Sequence, residues 1–292
     1  MFKNLPAHRK GLVFISFTAF LWSTSGFFIK YLTISAFHIL FYRSFIAAIT
    51  ILIAAYIRKS AVKFSFDKVS SFSAIFFAGI LILFVVATKM TKAANAIVLQ
   101  FTSPIYLVFL EPLFFKTKFV TRNLITVLLC VAGMVLFFFG KLELGNIYGN
   151  LIAIGAGMSF AMFSLLLKYK KEKQKTENTL HIIIIGNFLV AVIAGCIIFP
   201  DFALDLQQTL ILIYMGAIQI GISYMIFNEG IKYVSATESM IIAMLEAVFN
   251  PIWVFIGLGE TPTPYALVGG ALIFGAILWR NFTGNEKTML IE

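Results

Sequence analysis

Apolar runs of about 20 residues recur along nearly the whole chain, and that is the length a helix needs to cross roughly 30 Å of hydrocarbon. No other feature limits so sharply what the chain can fold into. Of its 292 residues, 60% are hydrophobic and only 12% charged, whereas a soluble domain is about a quarter charged. Too little polar surface remains to wrap a core in water, and the chain reads as an all-α membrane protein.

Ten transmembrane helices are expected, near 11–30, 37–57, 72–90, 93–115, 121–140, 147–168, 180–199, 209–230, 235–258 and 263–280. Lys89, Lys92 and Lys232 mark the breaks in the two tightest pairs. The first run, "GLVFISFTAFLWSTSGFFIK", is too long for the apolar part of a signal peptide and lacks a clear small-residue cleavage site, so it reads as a retained span. Cytoplasmic loops of membrane proteins collect Lys and Arg, which accounts for the net charge of +10 without nucleic acid. With the N-terminus inside, the inner segments hold eighteen Lys and Arg and the outer segments four, Lys30, Lys89, Lys92 and Lys141. Arg43 is left within span two. This bias predicts ten spans with both termini cytoplasmic, in the plasma (bacterial inner) membrane.

No loop between spans is long enough to fold by itself; the longest lie around Arg58–Ser71 and Tyr169–Thr179. Function must therefore lie within the bundle. Cys130 and Cys196, in apolar runs, are expected to be small core residues rather than a disulfide or part of a metal site.

The halves resemble each other. "GLVFISFTAFLWSTSGFFIKY" from Gly11 and "GNLIAIGAGMSFAMFSLLLKY" from Gly149 share an opening Gly and a closing Lys-Tyr at an offset of 138. "KMTKAANAIVLQFTSPIY" from Lys89 and "KYVSATESMIIAMLEAVF" from Lys232 share Lys and Ala at an offset of 143. Five spans is an odd number, so the second unit (residues 146–292) is expected upside down relative to the first (1–145). Inverted repeats of this kind recur in secondary transporters, with the substrate site near the midplane at the repeat interface.

Two stretches, "AFLWSTSGFFIKY" in the first span and "YVSATESMIIAMLEAVFNPIWVFIGLGE" in the ninth, resemble the EamA-type, ten-helix branch of the drug/metabolite transporter superfamily, over residues 11–281. The chain departs from that pattern at Ala247, where Pro is usual after Leu-Glu, with Pro251 one turn later. In the first half Lys116-Thr117 stands where Gly-Glu would fall. The resemblance implies two five-helix repeats around a central cavity, lined by spans one to four and six to nine, with spans five and ten peripheral. It also implies transport of small metabolites, often export of amino acids or similar compounds, driven by protons or by exchange.

Glu246, near the centre of span nine, is the leading site residue, because intramembrane ionisable groups are by default functional. Asn250 lies one turn further on the same face, and Pro251 removes a backbone hydrogen bond nearby. A buried carboxyl can load and unload a proton near neutral pH, although a structural pairing with a neighbouring helix also fits. Arg43, a little outward of the middle of span two, suits a substrate carboxylate, a pairing with Glu246 or a reach to the outer interface. Trp22, Ser23, Gln100, Ser103, Gln219, Tyr224 and Asn228 are candidates to complete the cavity, and the aromatic pair suits an amphipathic substrate or a cation. For each, an interhelical hydrogen bond is the competing account. Pro104, Pro251 and Glu111 are candidate helix-break or gating positions, Glu111 alternatively an interfacial group. Glu229, Glu238, His38 and His181 are expected at the interface, and Glu260 as an outer-loop contact.

The chemistry favours a secondary transporter of amino acids or similar small amphipathic compounds. An uptake carrier for a small organic cation or nucleobase is the alternative, and a membrane sensor or lipid-modifying enzyme a remote one. The spans contain no Asp, no H-E-x-x-H and no G-x-S-x-G, so clustered catalytic groups are missing. The G-x-x-x-x-G-K-[ST] loop of an ATP-driven pump is missing too. No cofactor or metal is expected. The expected partners are a small-molecule substrate, protons and the bilayer, with a homodimer left open.

Overall fold

The computed structural model describes residues 5–59, 62–139, 146–175, 179–258 and 263–283, without the side chains of 250–252, 254–255, 257–258 and 283. Every regular element among them is helical. The first segment is α1 (Ala7–Trp22), continued after Ser23-Thr24 by α2 (Ser25–Tyr31). Then come α3 (Ala36–Ile57) and α4 (Lys68–Met90). A second interrupted segment is α5 (Ala93–Gln100) and α6 (Ser103–Phe115), followed by α7 (Thr121–Phe137), α8 (Ile147–Lys173) and α9 (Leu180–Ile198). Next, α10 (Leu206–Tyr214) passes through a π-helical stretch, Met215–Ile222, into α11 (Ser223–Gly230). The last are α12 (Ala236–Ala243), α13 (Leu245–Leu258) and α14 (Pro264–Thr283).

Eight of these helical stretches are long and apolar enough to cross a membrane, and α7 is a shorter apolar helix. The polar residues between runs begin the next helix, as side-chain caps of otherwise orphaned N–H groups do. Ser35 accepts from His38 N at 3.3 Å, Asp67 from Ser70 N at 3.1 Å, and Asn146 from Tyr148 N at 2.9 Å. Asp205 and Gln208 form a reciprocal capping box ahead of α10, and Ser235 caps α12 through Glu238 N at 3.1 Å.

α4 packs along α8, α3 along α9 and the π stretch, α1 against α11 and α12, and α7 against α14. At the centre, Trp22, Phe77, Phe160, Phe163, Tyr224 and Phe227 form one aromatic cluster; the Tyr224 ring centroid is 4.7 Å from those of both Trp22 and Phe77. Large apolar side chains such as Leu52, Phe72, Leu128, Phe188 and Phe274 cover the outside, as lipid requires.

Several expectations are corrected. Cys130 is buried but Cys196 is exposed on the outside of the bundle, because an apolar residue in a span suits the lipid face as well as the core. Glu238 is not an open interfacial group: it is 1% exposed and bonded to His8 and Arg280. His181 is likewise buried, beside Ser70 at 3.2 Å. Helix α13 runs through Pro251, and the interruption of that segment falls earlier, at Met244. Asn250's side chain and Glu260 lie outside the described residues.

Candidate functional site

Four segments lose regular α-helical geometry at mid-length, two of them where hydroxyl side chains bond back to the chain. At Ser23-Thr24 both hydroxyls turn back on the chain, Ser23 Oγ donating to Phe20 O at 2.6 Å and Thr24 Oγ1 to Leu21 O at 3.3 Å. Such bonds compete with the helix ladder. At Phe101-Thr102 the Thr102 hydroxyl donates to Leu99 O at 2.7 Å, and Pro104, at the start of α6, cannot supply a backbone donor. At Met244 the backbone tightens to i→i+3 bonds, Met244 N to Ile241 O at 3.2 Å and Ala247 N to Met244 O at 3.1 Å. The fourth is the π stretch 215–222, a geometry frequent at functional sites.

All four irregularities meet at one cavity of about 30 Å³. Trp22 and Ser25 flank the first break, Gln100 precedes the second, Glu246 follows the third, and Ile220 and Tyr224 come from and beyond the π stretch. Continuous helices complete the wall with Arg43, with Ile80, Leu81 and Phe84, and with Phe160. Gly157 on α8 seats the second break: a Cβ there would stand 2.7 Å from Gln100 O.

The cavity carries one acid and one base. Glu246 is 5% exposed and Arg43 1%. The Nε and Nη1 atoms of Arg43 are buried with no hydrogen-bond partner, and no ion pair among the described residues joins Arg43 to Glu246. Tyr224 is within electrostatic reach of both. Leaving a charged group such as the Arg43 guanidinium buried and unpaired is costly, and a ligand carrying a negative charge would relieve that cost. Glu246 also stands in the first turn of α13, where the positive end of a helix dipole favours an anion. The volume holds roughly two waters at 10–15 Å³ each.

Of the residues expected from the sequence, Trp22, Arg43, Gln100, Tyr224 and Glu246 share this cavity, while Ser23, Ser103, Gln219 and Asn228 stand outside its wall. Ser23 accepts from Trp253 Nε1 at 2.6 Å, Gln219 donates to Thr24 Oγ1 at 2.6 Å, and Asn228 accepts from Thr179 Oγ1. Ser103 is buried without a partner for its hydroxyl. Glu111 grips the start of α12, accepting from Ala236 N at 2.7 Å and Thr237 N at 2.8 Å. Ser25 and the apolar wall went unrecognised; Ser25 had one available signal, its place in the polar "STS" that interrupts the first apolar run.

The EamA-like transporter family matches the chain twice, over residues 9–139 and 147–282. The chain belongs to this family. The EamA-like chain is 26% identical over 203 residues to an uncharacterized transporter of Archaeoglobus fulgidus, covering 68% of this chain and 71% of that one. A second uncharacterized transporter of the same organism is 23% identical over 285 residues, covering 92% and 96%. A crystal structure of a protein with 15% sequence identity matches the fold with a TM-score of 0.80, over 94% of this chain and 98% of the other. The protein is thus a multi-pass membrane transporter of the EamA-like family.

Proposed function

We propose that the protein is a secondary active transporter that moves a small zwitterion, an amino acid or similar amphipathic compound, by alternating access across the plasma membrane, in the export direction and coupled to protons or exchange. The observation that carries the reading is the buried, unpaired Arg43 facing the same cavity as Glu246. A carboxylate fits the guanidinium and an ammonium fits the Glu246 carboxylate. Trp22, Phe84 and Phe160 offer apolar contact to the rest of the molecule. With substrate absent, Glu246 is the group able to carry a proton instead.

The ten-span, two-repeat architecture belongs to the same proposal. Pairing segments one to five with six to ten turns each prominent helix contact into another: α4 with α8 becomes α11 with α1, and α3 with the π stretch becomes α9 with α4. The contacts of α7 with α14 and of α3 with α9 map onto themselves. The breaks at Phe101 and Met244 are equivalent in this pairing, as are Ser103 and Glu246. The acid therefore replaces a hydroxyl in one repeat only, which makes the site chemically asymmetric.

The second reading, a carrier of a small organic cation, is favoured by the Trp22 and Tyr224 rings close to Glu246, since a desolvated cation is attracted to aromatic faces. One experiment separates the two. Proteoliposomes are challenged with amino acids, nucleobases, polyamines and quaternary amines, with and without a pH gradient, using the parent and Glu246→Gln. Amino acid flux that follows the pH gradient and disappears in the variant is expected. Flux of a quaternary amine alone establishes the second reading, and an unchanged variant removes Glu246 from the site.

A further inference from the structure

The two short turns at 90–93 and 230–235 are held in the same way on opposite ends of the bundle, by residues that recur at the repeat offsets. Lys30, ending α2, donates from Nζ to Thr91 O at 2.8 Å. Lys168, 138 residues on, is ion-paired to Glu172 at 2.7 Å and donates from Nζ to Ile231 O at 3.3 Å and Lys232 O at 3.4 Å. The opposite side of each turn rests on a glycine. A Cβ on Gly149 would stand 3.0 Å from the Cβ atoms of Met90 and Thr91. A Cβ on Gly11 would stand 2.7 Å from Val234 Cγ1 and 3.0 Å from Tyr233 Cβ. Gly11 and Gly149 share the offset of 138 with the lysines, and the two turns correspond at 143. The glycine contacts are equivalent position for position, and the lysine contacts agree in kind, Lys168 reaching carbonyls two to three residues before the counterpart of Thr91: a lysine from the same half and a glycine from the other half clasp each turn.

Both sets of contacts are made here, and the cavity between them has a volume of about 30 Å³. Each turn joins helices that line the cavity: α4 with α5 at one end, α11 with the α12–α13 segment at the other. Displacing either turn would carry Gln100 or Glu246 with it. We propose that Lys30 and Lys168 are matched latches of the transport cycle, each releasing its own turn to open the cavity toward its own side of the membrane. This rests on the alternating-access reading above. A lysine suits the task because a charge-assisted hydrogen bond to a carbonyl is strong when made and, on a long stem, is readily exchanged for water. The latches differ in support. Lys89 adds a bond to Leu32 O beside Lys30, whereas the turn at Lys168 leads into α12, which is further held by Glu111 and by the Glu238–Arg280 pair.

The test reads cavity access rather than flux. Ser25→Cys is placed in a Cys130→Ala, Cys196→Ala background. Its labelling rate by a membrane-impermeant trimethylammonium methanethiosulfonate is then measured from each side of oriented vesicles. Lys30→Met is expected to raise labelling about tenfold from the side bearing the 90–93 turn, the size of one lost charged hydrogen bond. Lys168→Met is expected to raise it from the opposite side, and Lys30→Arg and Lys168→Arg to keep the parent ratio. Where a Met variant does not fold, Gly149→Ala and Gly11→Ala, which wedge the same two turns, give the same sided comparison. Equal increases on both sides indicate general loosening and overturn the latch, as does no change in a parent that transports. Sided shifts in a protein that moves no solute leave the latch standing and remove the transport reading.

Discussion

Glu246 and Arg43 approach one small cavity from α13 and α3 without pairing to each other, so each is expected to matter for the substrate more than for the fold. Arg43→Lys keeps a point charge but loses the planar fork. It is expected to weaken substrate binding in proteoliposome flux while Arg43→Gln abolishes it, with both variants folding. A collapse of Arg43→Gln to unfolded protein would instead make Arg43 structural. Outside the spans, Asp67 is the clearest titrating residue. Burial opposes its charge, but the Lys170 ammonium and the Ser65 and Ser70 hydroxyls hold its carboxyl well below the usual carboxylate range. A depressed folded value contributes stability that is present above the ordinary value near 4 and lost as pH falls through the folded one. Thermal unfolding in detergent should therefore show Asp67→Asn less stable than the parent at pH 7, with the gap closing as the pH drops below about 4. A gap that persists at low pH would mean the carboxylate charge is not what Lys170 stabilises.

Helix α12 is tethered at its start from two directions. Its first turn receives Ser235 Oγ from its own chain and the Glu111 carboxylate from α6, which accepts Ala236 N and Thr237 N. A carboxylate at that position also complements the helix dipole. Glu111→Gln is expected to cost about 1 kcal/mol, as loss of a helix cap does, lowering the unfolding midpoint while the flux per folded molecule stays near the parent's. If flux falls and the midpoint does not, Glu111 acts in gating. The broken segments follow the same logic in reverse: hydroxyls that bond back to Phe20, Leu21 and Leu99 carbonyls stop helices where the cavity needs a turn.

For the whole bundle, the Glu238 carboxylate ties distant parts of the chain together. It bonds to His8 of α1 at 2.9 Å and to Arg280 of α14, whose Nε also donates to Asn123 Oδ1 of α7 at 2.9 Å. Removing one member of a buried pair leaves the other uncompensated, typically a loss of 3–5 kcal/mol. Glu238→Gln and Arg280→Gln are each expected to destabilise strongly, and the double variant by clearly less than their sum. Additive losses in a detergent unfolding series would show that the two groups do not support each other. The cavity and the lysine-held turns are likewise properties of the assembly, since Lys30, Gly149 and the 90–93 turn meet only in the folded bundle.

Hydropathy alone determined that the chain is helical and membrane-spanning, because a bilayer demands about 20 apolar residues per crossing wherever they fall. Polar residues stranded inside such runs were equally legible. Trp22, Arg43, Gln100, Tyr224 and Glu246 were each marked by chemistry that lipid disfavours, and they do meet at one cavity. The rest of that wall was not legible. Phe84 and Phe160 are two of 33 phenylalanines, and an apolar residue facing a cavity, a neighbouring helix or lipid has the same hydropathy. Cys196 was misjudged for that reason. Ser23, Gln219 and Asn228 carry the right chemistry, but the rotation of their helices turns them toward Trp253, Thr24 and Thr179 instead. Helix rotation and the position of each break are settled by side-chain packing between segments far apart in sequence, and so only the tertiary structure decided which polar groups share a space.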